Sequence, residues 1–148
     1  MSFRSQDHQT SQSATSVARR LHLELIDEAG RAIDLTAGFL YDAADPYAVT
    51  LTFYTDGPEV TWSFARDLLA GGVKRPAGTG DVHVWPSVNR SGGSVTVIEL
   101  RSPGGQALLQ ASTADVAAFV EATYAIVTPG QESERIDLDS LVDALLAV

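Results

Sequence analysis

The chain has 148 residues, a length that fits one domain, with no cysteine and a formal net charge of −9. This excludes a disulfide scaffold and thiolate chemistry, and it disfavours a phosphate backbone as partner. No apolar run approaches the roughly 20 residues of a membrane span, and Met1–Gln6 lacks the apolar core of a secretory signal. The expectation is a cytoplasmic protein.

Residues 1–17 are rich in Ser, Gln and Thr, and are expected to form a disordered tail ahead of a single domain over 18–148. Residues 1–20 carry three arginines and one aspartate, which leaves −11 for the rest. Arg66, Lys74 and Arg75 are the only near-cluster of cations in that acidic body.

The first strand is predicted over Ala18–Ile26, where Leu21, Leu23 and Leu25 alternate with His22 and Glu24. Asp27–Gly30 is a turn, and a second strand follows over Ile33–Tyr41. Val49, Leu51 and Phe53 alternate with threonines and Tyr54 in a third strand. Thr55–Pro58 turns the chain back into a fourth, on which Val60, Trp62 and Phe64 share one face.

Phe64–Pro86 is the densest stretch. Arg66 and Asp67 open a short helix that ends at Gly71-Gly72. Turns follow at Arg75-Pro76 and Gly78–Gly80. Asp81–Trp85 alternates polar and apolar side chains, and Pro86 is expected to stop it. Ser94–Arg101 is a strand whose phase slips: Val95 and Val97 share one face, Ile98 and Leu100 the other. A bulge or burial on both faces would account for this. After a turn at Pro103–Gly105, Gln106–Ala111 returns.

Helical spacing begins only near the end. Ser112 is the expected N-cap of a helix over 112–127, with Val116, Phe119, Val120, Thr123 and Val127 in one stripe. Pro129-Gly130 stops it, and Gln131–Arg135 reads as a charged connector. Leu138, Leu141, Val142, Leu145 and Leu146 then mark an amphipathic helix over 137–147, with Asp137 as its N-cap. The order predicts an α+β fold of antiparallel sheets, about seven strands, followed by two C-terminal helices.

No catalytic constellation is visible. Asp81 and His83 share one side of a strand and would make half a metal site, whereas ligation needs three or four converging groups. Asp137 and Asp139 suit a helix start. Gly78-Thr79-Gly80 lacks the rest of a dinucleotide fingerprint, and neither a phosphate loop nor a nucleophile elbow is present. No enzyme, cofactor or metal is expected. Trp62 falls in phase with Val60 and Phe64 and reads as core. Trp85 falls opposite Val82 and Val84, which makes it the best anchor for a partner if that face is exposed.

Three runs carry a resemblance to a known family: Tyr41–Val49 (YDAADPYAV), Trp62–Leu69 (WSFARDLL) and Arg75–Pro86 (RPAGTGDVHVWP). Their order and spacing, over about Leu21 to Val148, resemble the SsgA-like proteins of sporulating actinomycetes, and within them the SsgB type. Gly71-Gly72 departs from the pattern, which has an acidic residue before the glycine, and the Met1–Val17 extension is longer. The resemblance implies a non-enzymatic scaffold of sporulation-specific cell division that acts in septum-site placement. It implies a Whirly-like fold, a homotrimer, and the division-ring protein FtsZ and other SsgA-like proteins as partners, at division septa. Arg66, Asp67, Arg75, Asp81, His83 and Trp85 are the expected partner-binding residues. The rival reading is a nucleic-acid-binding regulator, which the acidic body disfavours.

Overall fold

The computed structural model describes residues 10–12, 15–133 and 142–146. Nine strands form one antiparallel sheet: β1 (Thr10–Gln12), β2 (Ser16–Ile26), β3 (Ala32–Asp42), β4 (Ala48–Tyr54), β5 (Val60–Ala65), β6 (Ala77–Thr79), β7 (Val82–Val88), β8 (Ser94–Ser102) and β9 (Gly105–Ser112). Helices α1 (Arg66–Gly72) and α2 (Thr113–Ile126) accompany them.

The sheet runs β5-β4-β3-β2-β9-β8-β7-β6. Strand β2 joins its two wings. One edge pairs with β3 from Ser16 opposite Asp42 to Ile26 opposite Ala32. The other edge is shared: Val17–Arg19 pairs with β1, and Leu23–Ile26 with β9.

Alternation decides the core. Leu21 and Leu23 of β2, Phe39 and Tyr41 of β3, and Val49, Leu51 and Phe53 of β4 bury one face of the first wing. Val82 and Val84, Ile98 and Leu100, and Leu109 and Ala111 do the same in the second. Both sets enter one cluster with Val116, Phe119 and Val120 of α2, so the sheet curls around that helix. Phe119 meets Phe39 edge-on, with ring centroids 5.5 Å apart.

Several expectations shift. The tail boundary at residue 17 moves, because Val17 is fully buried in β2 and Thr10–Gln12 forms β1. Pro86 does not end its strand. β6 stops opposite Val84, so among the described residues the outer edge of β7 has no strand beside Pro86, and an edge tolerates proline. The phase slip in β8 is burial on both faces, because its register with β7 and β9 is unbroken. Ser112 stands at the N-cap without a side-chain capping bond. The stripe from Val116 to Val127 is buried as expected. Of the expected last helix, Val142–Leu146 is helical; Asp137, Leu138 and Leu141 lie outside the described residues.

Candidate functional site

Arg66 continues the inward phase of β5 after Trp62 and Phe64, and enters α1 with its side chain already pointing into the core. Expected to face a partner, it is instead only 1% exposed. Its guanidinium lies 4.8 Å from the Tyr41 ring and 5.0 Å from the Tyr124 ring, measured to the centroids. One terminal nitrogen donates to the Val127 carbonyl at 2.7 Å and the Thr123 carbonyl at 3.3 Å, near the C-terminal end of α2. The other donates to Glu132 at 2.6 Å.

Glu132, expected in a charged connector, is buried and paired. Its second carboxylate oxygen accepts the Gly130 N–H at 3.0 Å. Burial by itself would raise the Glu132 carboxyl, but the Arg66 hydrogen bond, backbone N–H groups and the Arg66 charge hold it below the usual carboxylate range. Burial pushes the Tyr124 hydroxyl up, against the opposing pull of Arg66. This cluster is a structural lock that ties α1, α2 and the segment after α2 together.

The remaining expected residues fall in two places. Asp67 and Arg75 line a groove of about 460 Å³ between α1 and α2, with Lys74, Glu121 and Tyr124. Asp81, His83 and Trp85 lie along the β6–β7 turn and the outer face of β7. His83 packs over Gly78 so closely that an added Cβ there would sit 2.0 Å from its Nδ1. Its Nε2 lies 3.2 Å from the Gly80 carbonyl. Asp81 is exposed, and its carbonyl accepts the Arg101 N–H at 2.9 Å. Among the described residues, no three His, Asp or Glu converge to hold a metal.

Trp85 stands on the convex side, opposite the core, across from Val97 of β8. It lines a groove of about 760 Å³ whose apolar members include Ile26, Val97 and Leu108. Gln110 donates to Glu24 at 2.9 Å on the same wall. Two turns bring Arg90 and Arg31, the latter ion-paired with Asp27 at 2.8 Å, to the groove. An aromatic ring on an apolar floor with cations at the margin suits a protein segment carrying apolar and acidic side chains. No nucleophile–base pair is found among its lining residues.

The model of the family described as Streptomyces sporulation and cell division protein, SsgA, matches residues 35–132, from within β3 to Glu132. The chain belongs to the SsgA family. The sporulation-specific cell division protein SsgB of Streptomyces coelicolor is 48% identical over 134 residues, covering 90% of this chain and 97% of that protein. The SsgB of Frankia casuarinae is 43% identical, covering 88% and 92%. An SsgA-like sporulation-specific cell division protein of known structure from Thermobifida fusca superposes with a TM-score of 0.81 at 38% identity, covering 90% of this chain and 98% of that one. A structure reported with mutations in SsgB that correlate to longitudinal cell division in Streptomyces coelicolor gives 0.77 at 44% identity, covering 84% and 99%.

This SsgA-family chain is of the SsgB type, and its role is sporulation-specific cell division in actinomycetes. The family match encloses both halves of the Arg66–Glu132 lock and Trp85 itself, whereas Glu24, Ile26 and Arg31 of the Trp85 groove lie ahead of the matched residues. Among the described residues, no helix is long and apolar enough to cross a membrane.

Proposed function

We propose that the chain is a non-enzymatic scaffold that helps place the sporulation septum by docking a division-ring protein, FtsZ by resemblance, on the Trp85 face. The observation that carries this is the position of Trp85, a large aromatic on the side of the sheet away from the core. Asp81 and His83 extend the same face, and the α1–α2 groove with Asp67 and Arg75 is a secondary contact. Arg66 acts from inside by fixing α1. A Whirly-like arrangement, a homotrimer, contacts with other SsgA-like proteins and a cytoplasmic position at septa belong to the same reading. Repeated copies of a modest site would bind a polymer through avidity.

The test is co-sedimentation of the purified full chain with FtsZ polymers, nuclease-treated and untreated. The wild-type chain should pellet in both. Trp85→Ala, with an unchanged unfolding midpoint, should weaken pelleting at least about tenfold, as expected for a central aromatic anchor. Pelleting that the variant leaves intact would refute the site; pelleting lost with nuclease would favour the nucleic-acid reading.

A further inference from the structure

The curl of the sheet leaves its concave face unevenly filled. At one end α2 seats Phe119 against Phe39. At the other end, where β2 and β4 finish and β3, β5 and β9 begin, a groove of about 440 Å³ stays open. Leu25, Leu35, Phe53, Val60, Trp62 and Leu109 line it, and none of its lining residues is charged. Val60 remains 46% exposed.

The groove adjoins β5, which among the described residues pairs only with β4. Val60–Ala65 contains no charged residue and no proline, the devices that ordinarily protect a sheet edge. A second apolar surface is uncovered in the same chain. Residues 142–146 are helical, and Val142, Leu145 and Leu146 are 43%, 66% and 79% exposed. In sequence they continue the stripe that begins at Leu138 and Leu141.

We propose that this open end of the concave face is the docking site for the C-terminal helix of a second copy of the chain. Two observations select that occupant. First, one chain presents both an apolar groove and an apolar helix face, and neither covers the other. Second, two copies of a chain with net charge −9 repel across most of their surfaces. An uncharged groove is where they approach with least opposition, and an apolar helix face is what it accepts. Helix and groove are different surfaces, so the contact is head-to-tail and closes into a ring if the rotation allows. The inference rests on the homo-oligomer reading and assigns its interface.

The absence of cysteine permits a direct test. Full-length Leu145→Cys and Val60→Cys chains are mixed and treated with a short bismaleimide. A product containing both chains is expected. Leu145→Asp with Leu146→Asp, both at exposed positions, should weaken association at least about 30-fold by sedimentation while leaving the circular dichroism spectrum of the folded chain unchanged. An oligomer that survives the double substitution and gives no mixed product overturns this interface and leaves the oligomer reading intact. A wild-type monomer overturns both. Cross-linking confined to single chains that carry both cysteines would place the helix in its own groove, and refute the exchange.

Discussion

Removing either partner of the Arg66–Glu132 pair should be among the most damaging single changes in the chain. Arg66→Met leaves the Glu132 carboxylate buried without its cation, and takes donors away from the Val127 and Thr123 carbonyls. It also ends the stacking on Tyr41 and Tyr124. Breaking a buried pair from one side costs about 3–5 kcal/mol. That is a large share of the roughly 5–15 kcal/mol that stabilises a domain. At about 2–4 °C per kcal/mol for a chain of this size, the melting temperature should fall by about 6–20 °C. Glu132→Leu should do similar harm. Combining it with Arg66→Met removes both charges together, so the double variant should lose less than the two losses added, by at least about 2 kcal/mol. Urea unfolding followed by circular dichroism measures all four corners of the cycle. Strictly additive losses, or single losses below about 1 kcal/mol, would refute the lock, because that is the range of exposed ion pairs.

Two further outcomes follow from the same region. Gly72→Ala would place a Cβ 2.1 Å from Val84 Cγ1 and 3.0 Å from the Val84 backbone carbon, so urea unfolding should show a loss of about 1–3 kcal/mol. Its neighbour makes the control: at Gly71 the nearest atom to an added Cβ is the Ala77 Cβ at 3.7 Å, and Gly71→Ala should gain roughly 0.5–1 kcal/mol from helix propensity. Because the folded Glu132 carboxyl is held below its ordinary value of 4.5, its contribution is complete above that pH and is lost as pH falls through the lower folded value. The stability gap between wild type and Glu132→Gln should therefore narrow below pH 4.5; a gap that stays constant into acid would contradict the pairing.

The strands were legible because burial on one face forces a period of two, and β2, β4 and β5 carry it plainly in Leu21/Leu23, Val49/Leu51/Phe53 and Trp62/Phe64. The α2 stripe was legible for the corresponding reason at helical spacing. Strand β8 was ambiguous because Val95 and Val97 are buried on the convex side, while Ile98 and Leu100 are buried in the core. Alternation cannot report a strand that is covered twice. Pro86 misled because a proline bars a residue from the middle of a sheet but not from an edge, and which strands are edges is decided by topology. Strand β6, three residues around Gly78, had too little pattern to read.

The functional surface divides by the same logic. Arg66 looked like a partner-facing cation because arginine is seldom buried alone. Its phase after Phe64 was a usable sign of the opposite, since a side chain two residues beyond a buried one on a strand points the same way. Glu132 gave no comparable sign. Its partner lies 66 residues earlier, and nothing local separates a buried carboxylate after Pro129-Gly130 from a solvated one. Trp85 was legible because its face is fixed by Val82 and Val84, which can only point inward. The two aromatic positions therefore lie on opposite faces of the sheet: Trp62 lines the open concave end proposed for a second copy, and Trp85 lines the convex groove proposed for a division partner.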